Sequence, residues 1–189
     1  MVIFVVHPCA SPHSIVFESA ETAVAIIPAR YDSSRLPGKP LADIAGSPMI
    51  EHVYKRVKSA PGIQRVLVAT DDDRIASAVA TFGGECQMTS PMHRSGMDRL
   101  AEVASSLSDQ FIINVQGDEP LIDPTLVGNV LRTLRKTSEI DIVTALTPIC
   151  DLGEFLNPNI VKVTIDTKAN ALYFSRAPIP FCRREDSKP

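Results

Sequence analysis

Apolar positions along the chain fall into two alternating periods. Val24-Ala25-Ile26-Ile27 is a short β-branched run that ends at Pro28, the pattern of a strand buried on both faces. Ser47-Pro48 reads as an N-cap followed by a first-turn proline, and Ile50, Val53 and Val57 then recur at helical spacing to about Ser59. Pro61-Gly62 breaks that helix, Arg65 to Thr70 is a second buried strand, and Ile75, Val79 and Phe82 mark another helix stopped at Gly83-Gly84. Glu85 to Thr89 predicts a short strand. Ser95-Gly96-Met97-Asp98 resembles a capping box ahead of Leu100, Val103, Ala104 and Leu107. Phe111 to Val115 is the next strand, Asp123-Pro124 caps a helix with Val127, Val130, Leu131 and Leu134 on its apolar face, and Ile140 to Thr147 predicts another strand. Ile160 to Asp166 and Ala171 to Ser175, separated by Thr167-Lys168-Ala169-Asn170, read as a β-hairpin.

Strand–helix alternation of this kind predicts an α/β fold, a mostly parallel sheet covered by helices. The hairpin is expected to add to that sheet and make it mixed. Residues 1–22 precede the pattern and read as an uncommitted extension, and residues 23–189 as one domain. No internal repeat is visible.

Composition narrows the class. The 189 residues are 44% hydrophobic and 22% charged, with a net charge of -3, so no basic footprint for nucleic acid or an anionic membrane is present. No apolar run is long enough to span a bilayer, and no Lys or Arg precedes Arg30, which excludes the charged start of a secretory signal. Cys9, Cys86, Cys150 and Cys182 form no C-x-x-C pair, the usage of a reduced, cytoplasmic protein.

Candidate chemistry collects where strands end. After Pro28 the loop carries Arg30, Arg35 and Lys39 among Ser33, Ser34 and Gly38, a set of fixed cations suited to a polyanion such as a nucleoside triphosphate. In open α/β sheets the carboxyl edge of the strands is where ligands bind. Asp71-Asp72-Asp73 follows the second strand, and carboxylates at a helix start serve its dipole without further function. Gln116-Gly117-Asp118-Glu119-Pro120 follows the third: an acidic turn that either caps the chain before Pro120 or supplies a Mg2+ ligand at Asp118. His93-Arg94-Ser95-Gly96 enters a helix N-terminus, where free N–H groups receive anions or a base edge, while Asp98 and Arg99 read equally as capping and surface groups. The chain has neither G-x-x-x-x-G-K-[ST] nor G-x-G-x-x-G, which argues against P-loop and dinucleotide-binding proteins. The residues alone thus point to a metal-dependent, nucleotide-binding α/β protein.

A longer series of motifs carries a resemblance. Ile27-Pro28-Ala29-Arg30, Leu36-Pro37-Gly38-Lys39-Pro40-Leu41, Ala69-Thr70-Asp71-Asp72, Ser95-Gly96 with Asp98-Arg99-Leu100-Ala101-Glu102, and Asn114-Val115-Gln116-Gly117-Asp118-Glu119-Pro120 occur in order. Asn157-Pro158-Asn159 and Ala171 to Pro180 continue it. Together they resemble the 3-deoxy-manno-octulosonate cytidylyltransferase (CMP-Kdo synthetase) family over about residues 23 to 182. The resemblance implies a Rossmann-like nucleotidyltransferase fold, a cytoplasmic homodimer, and CTP, Kdo and Mg2+ as substrates and cofactor, in the activation of Kdo for lipopolysaccharide. It also implies roles: Arg30, Lys39 and, more weakly, Arg35 on the CTP phosphates; Ala29, Ser95 and Gly96 around the cytidine; Asp118 on Mg2+; Gln116 near the reacting sugar; Arg176 toward the sugar acid. A CMP-sialate synthetase and a non-catalytic nucleotide-binding or dimerising fragment stand as alternatives. The sequence departs from the family pattern at Met97, where threonine is usual, and it stops before the family's C-terminal part.

Overall fold

The structure is a computed structural model that describes residues 5–6, 22–32, 36–137 and 139–181. The chain divides into two compact units, Met1–Ala145 and Leu146–Pro189.

The first unit is built on a six-stranded sheet. Its strands are β1 (Val5–Val6), β2 (Ala23–Pro28), β5 (Arg65–Thr70), β6 (Glu85–Met88), β7 (Phe111–Asn114) and β8 (Ile142–Val143), in the order β6-β5-β2-β7-β1-β8. Strands β6, β5, β2 and β7 run parallel, with Ile26 opposite Leu67 on one side and Asn114 on the other. Strand β2 is central because every residue from Ala23 to Ile27 is fully buried, so it needs cover on both faces. Its alternation supplies that cover. Ala23, Ala25 and Ile27 face one cluster with α1 (Met49–Lys58), α2 (Asp73–Thr81) and α4 (Pro124–Lys136), while Val24 and Ile26 face a second with α3 (Gly96–Ser105). Three layers result, as the alternating pattern requires.

Helix ends follow local chemistry. Asp72 caps α2 by accepting from the Arg74 N–H at 3.0 Å, Asp123 caps α4 by accepting from Thr125 at 2.8 Å, and Ser95 and Asp98 complete a capping box at α3. The start of α1 differs from expectation. Ser47–Pro48 forms β4, a bridge to β3 (Asp43–Ile44), and the cap position falls to Pro48, because the Met49 N–H is drawn 2.9 Å from the Ala42 carbonyl. Only Ile142–Val143 of the expected strand Ile140 to Thr147 pairs. Its partner is Val5–Val6, antiparallel to both β7 and β8 and drawn from the stretch expected to be uncommitted. The main sheet is therefore mixed through β1.

The second unit holds α5 (Leu152–Leu156) and the expected hairpin, β9 (Lys162–Ile165) with β10 (Ala171–Ser175). The hairpin forms its own two-stranded sheet and does not join the six-stranded one, since both of its strands pair only with each other among the described residues. Asp166 organises the turn by accepting from the Lys168 and Asn170 N–H groups, each at 2.8 Å. Lys162 is buried within this unit, and its ammonium donates to the carbonyls of Asn157, Ile160 and Arg176 at 2.6, 2.9 and 3.1 Å. Three donors meet three acceptors, which is what a buried ammonium requires.

Candidate functional site

A cavity of about 740 Å3 opens in the first unit, at the carboxyl ends of β2 and β7. Three loops wall it: the one after β2 through Pro28, Ala29, Arg30, Leu36, Lys39 and Pro40; His93 to Gly96 leading into α3; and Gln116 to Asp118 after β7. Adjacent parallel strands deliver the first and third loops to one edge. Helix α3 brings the second over the same edge by packing Leu100 and Val103 on Val24 and Ile26.

The backbone of these loops is tightly specified. Gly38 sits at φ 70° and caps a 3-10 turn, Lys39–Leu41, that aims Lys39. Its N–H donates to the Tyr31 carbonyl at 2.8 Å, and a Cβ there would stand 3.1 Å from the Tyr31 ring. The Arg74 guanidinium lies 3.3 Å from the centre of that ring while also pairing with Asp72 at 2.6 Å, which ties the loop to α2. Gly117 approaches β2 so closely that a Cβ would lie 3.0 Å from the Pro28 carbonyl oxygen.

Of the residues expected at a site, Ala29, Arg30, Lys39, Ser95, Gly96, Gln116 and Asp118 all line this cavity. Arg35 lies outside the described residues, as do Ser33, Ser34, Cys9 and Cys182. Arg176 belongs to the second unit, where its guanidinium donates to the Pro158 carbonyl at 3.0 Å.

Charge in the cavity is partly paired off. The Lys39 ammonium stands 2.8 Å from Asp118 Oδ2, with side chains 37% and 50% exposed. Arg99 is the larger surprise. Read from sequence as a capping or surface group, it is 3% exposed, 3.0 Å from Asp71 Oδ2, and donates to the Thr89 hydroxyl. Asp71 therefore does more than serve a helix dipole: it neutralises a buried cation. Beside it Glu102 accepts from the Ser90 N–H at 3.0 Å and bonds His93 Nε2. Those contacts, the Ser90 N–H first and His93 second, hold the Glu102 carboxyl below its ordinary range. Asp98 is likewise lowered, by the Ser95 hydroxyl and N–H. The loop from Thr89 to Ser95 is thus pinned at both ends by α3.

Arg30 and Arg94 remain exposed at the cavity, and neither forms an ion pair among the described residues. Sequence reasoning quoted Arg94 and Arg99 within motifs but assigned neither a site role. The available signal was their flanking of Ser95 and Asp98, but burial of Arg99 depends on Asp71, which is distant in the chain.

The donor set fits a divalent cation only in one manner. Among the described residues no group of three or more His, Cys, Asp or Glu side chains converges. Among the described residues Asp118 is the single carboxylate on the cavity wall, which matches the Mg2+ mode of one or two carboxylates completed by substrate phosphates and water. Among the described residues no helix is long and apolar enough to cross a membrane.

Comparison with known proteins agrees with the geometry. The cytidylyltransferase family model matches residues 24–188. A Geobacter sulfurreducens protein named 3-deoxy-manno-octulosonate cytidylyltransferase is 54% identical over 159 residues, 84% of this chain and 64% of the relative. One of the same name from Saccharophagus degradans is 50% identical over 169 residues, 88% of this chain and 66% of the relative. A solved CMP:2-keto-3-deoxy-manno-octonic acid synthetase complexed with CTP superposes with a TM-score of 0.78 at 47% identity, covering 86% of this chain and 67% of that one. A Leptospira borgpetersenii cytidylyltransferase, 22% identical with a TM-score of 0.57 over 62% of this chain and 50% of that one, shares the fold. The chain spans slightly less than two thirds of the length of these curated relatives. A mostly parallel sheet with its cavity at the carboxyl edge, and a family match from Val24 onward, make this chain a member of the cytidylyltransferase family.

Proposed function

We propose that the chain transfers a cytidylyl group from CTP to Kdo, giving CMP-Kdo and pyrophosphate, the step that activates Kdo for lipopolysaccharide. The observation that carries this reading is the cavity itself, because residues of the motifs at 27–30, 36–41, 95–102 and 114–120 line its walls, and Asp71 of the remaining motif pairs with Arg99 among them. Likeness to a CMP-Kdo synthetase solved with CTP supports the choice of nucleotide.

In this reading the sugar hydroxyl attacks the α-phosphorus in line, the bond to the β-phosphate oxygen breaks, and the hydroxyl proton is lost to solvent. Such transfer rests on positioning and charge stabilisation more than on covalent help from protein. Arg30 and Lys39 neutralise the triphosphate, with Arg35 assigned the same task. Ala29 and the Ser95-Gly96 entry frame the cytidine, where the first N–H groups of α3 lack helical partners. Gln116 orients the attacking hydroxyl. Arg176 meets the sugar carboxylate. Asp118 holds Mg2+, which when bound neutralises phosphate charge. A second copy of the chain covers Leu172, Tyr173 and Phe174 of the hairpin, which are 66%, 62% and 46% exposed. The lack of a membrane-crossing helix among the described residues is compatible with a cytoplasmic enzyme.

The test is pyrophosphate release by the purified chain with CTP, Kdo and Mg2+, beside Asp118→Ala. Release that requires all three components and is lost in the variant is the expected result. A folded wild-type chain that releases none, or that releases as much after Asp118→Ala, overturns the assignment.

A further inference from the structure

The Lys39–Asp118 contact joins two residues that the proposed function uses separately, one for phosphate and one for metal. They arrive from different strand ends, 79 positions apart in sequence, and meet at 2.8 Å. Asp118 is the single carboxylate that the described residues place on the cavity wall, and Lys39 is its ion-pair partner there. The other cations are placed differently. Arg99 is held by Asp71 and Thr89, while Arg30 and Arg94 stand at the cavity without ion pairs among the described residues. An ammonium therefore occupies the position beside Asp118 that a divalent cation needs.

We propose that Lys39 is a tethered counter-ion that keeps Asp118 from divalent cations until a triphosphate draws the lysine away. The inference rests on the proposed function and adds an order to it. A bare metal ion must displace the ammonium and then sit beside its positive charge. Metal-free nucleotide must in turn compete with Asp118 for Lys39. When both arrive, each releases the group the other requires, and metal and nucleotide bind with positive coupling that by linkage is reciprocal. The pair is about half exposed, so its strength is that of a surface ion pair, and the latch is shallow. Shallow is what a reversible latch needs.

The experiment follows Mn2+ binding by the EPR signal of the free ion, without nucleotide, and CTP binding by calorimetry in EDTA. Lys39→Gln is expected to tighten Mn2+ alone about three- to tenfold, from loss of the pair and of like-charge repulsion. Lys39→Arg restores the wild-type value because it keeps the counter-ion. In the reciprocal arm, Asp118→Asn tightens metal-free CTP, since Lys39 is then free for phosphate. Circular dichroism establishes that each variant is folded. The proposal is overturned if Lys39→Gln leaves Mn2+ affinity at the wild-type value, or if Asp118→Asn leaves or weakens metal-free CTP binding. In either case CTP binding by the wild-type chain keeps the proposed function intact. A wild-type chain that binds no CTP with or without Mn2+ overturns the functional reading and this one with it.

Discussion

Asp71→Ala tests whether the buried Arg99 is the keystone of the cavity's second wall. The guanidinium is 4% exposed and reaches Asp71, whose side chain is 22% exposed, at 3.0 Å. Its other described side-chain partner is the Thr89 hydroxyl, which is neutral. Removing one partner of a buried ion pair costs about 3–5 kcal/mol, because the remaining charge is left uncompensated. Asp71 is partly solvated, so water can enter the space it leaves, and about 2–4 kcal/mol is the sounder expectation. For a chain of this length that loss lowers Tm by roughly 4–16 °C. The assay is urea unfolding followed by circular dichroism, with Arg99→Met and the double variant completing a cycle. Arg99→Met alone strands a carboxylate that still reaches water, and so costs less than Asp71→Ala. The double variant, with no charge left to strand, recovers part of the loss. Asp71→Ala within about 0.5 kcal/mol of wild type, the usual range for a surface substitution, refutes the reasoning.

Three further outcomes follow from the same geometry. Gly117→Ala sets a Cβ 3.0 Å from the Pro28 carbonyl oxygen and is expected to cost about 1–3 kcal/mol while displacing Gln116 and Asp118; an unchanged Tm and CTP affinity speak against it. The folded Glu102 carboxyl lies below its unfolded value, so its contribution is present above the ordinary carboxylate range and lost as pH falls through the folded value. The Tm gap between wild type and Glu102→Gln should therefore close on acidification, and a gap constant with pH contradicts the assignment. Asn114 Oδ1 is buried without a hydrogen-bond partner among the described residues, while Asn114 Nδ2 donates to Met97 Sδ at 3.5 Å. Met97→Thr replaces that weak thioether acceptor with a hydroxyl, a stronger acceptor for Asn114 Nδ2, and should raise stability by about 1 kcal/mol, measured by urea unfolding; a fall rejects it.

Most of the first unit was legible because its signals are local. Strand β2 and the Val66-Leu67-Val68-Ala69 centre of β5 are unbroken apolar runs, and the caps at Asp72, Ser95 and Asp123 are side-chain chemistry within a few residues of the helices they start. What escaped is decided by partners distant in sequence. Ile140 to Thr147 has strand composition, yet strand content depends on a neighbour, and only the two residues opposite Val5–Val6 pair. The hairpin was recognisable from its turn, but nothing within its sequence states whether it joins a larger sheet. Arg99 and Lys162 look like ordinary surface cations until Asp71 and three carbonyls are brought to them. The cavity residues were legible in groups because two groups follow the ends of the adjacent parallel strands β2 and β7, and the third opens α3 at a capping box.

A chain with a net charge of -3 can still present a cationic cavity, because pairing is settled locally. Asp72 absorbs Arg74 and Asp71 absorbs Arg99, each immediately beyond β5, so two of the three consecutive aspartates neutralise cations around the cavity. Lys39 and Asp118 cancel on the wall itself. Arg30 and Arg94 remain, exposed at the cavity and without an ion pair among the described residues. On the proposed function, an incoming triphosphate meets two ready guanidinium groups before it has to compete for the lysine. The first contacts give attraction without displacement, and the last exchanges a weak internal ion pair for a metal ion and a phosphate together. On the proposed reading, Arg30 and Arg94 contribute to nucleotide affinity whether or not metal is present, whereas the Lys39–Asp118 pair opposes metal-free nucleotide and so sets the difference between the two affinities.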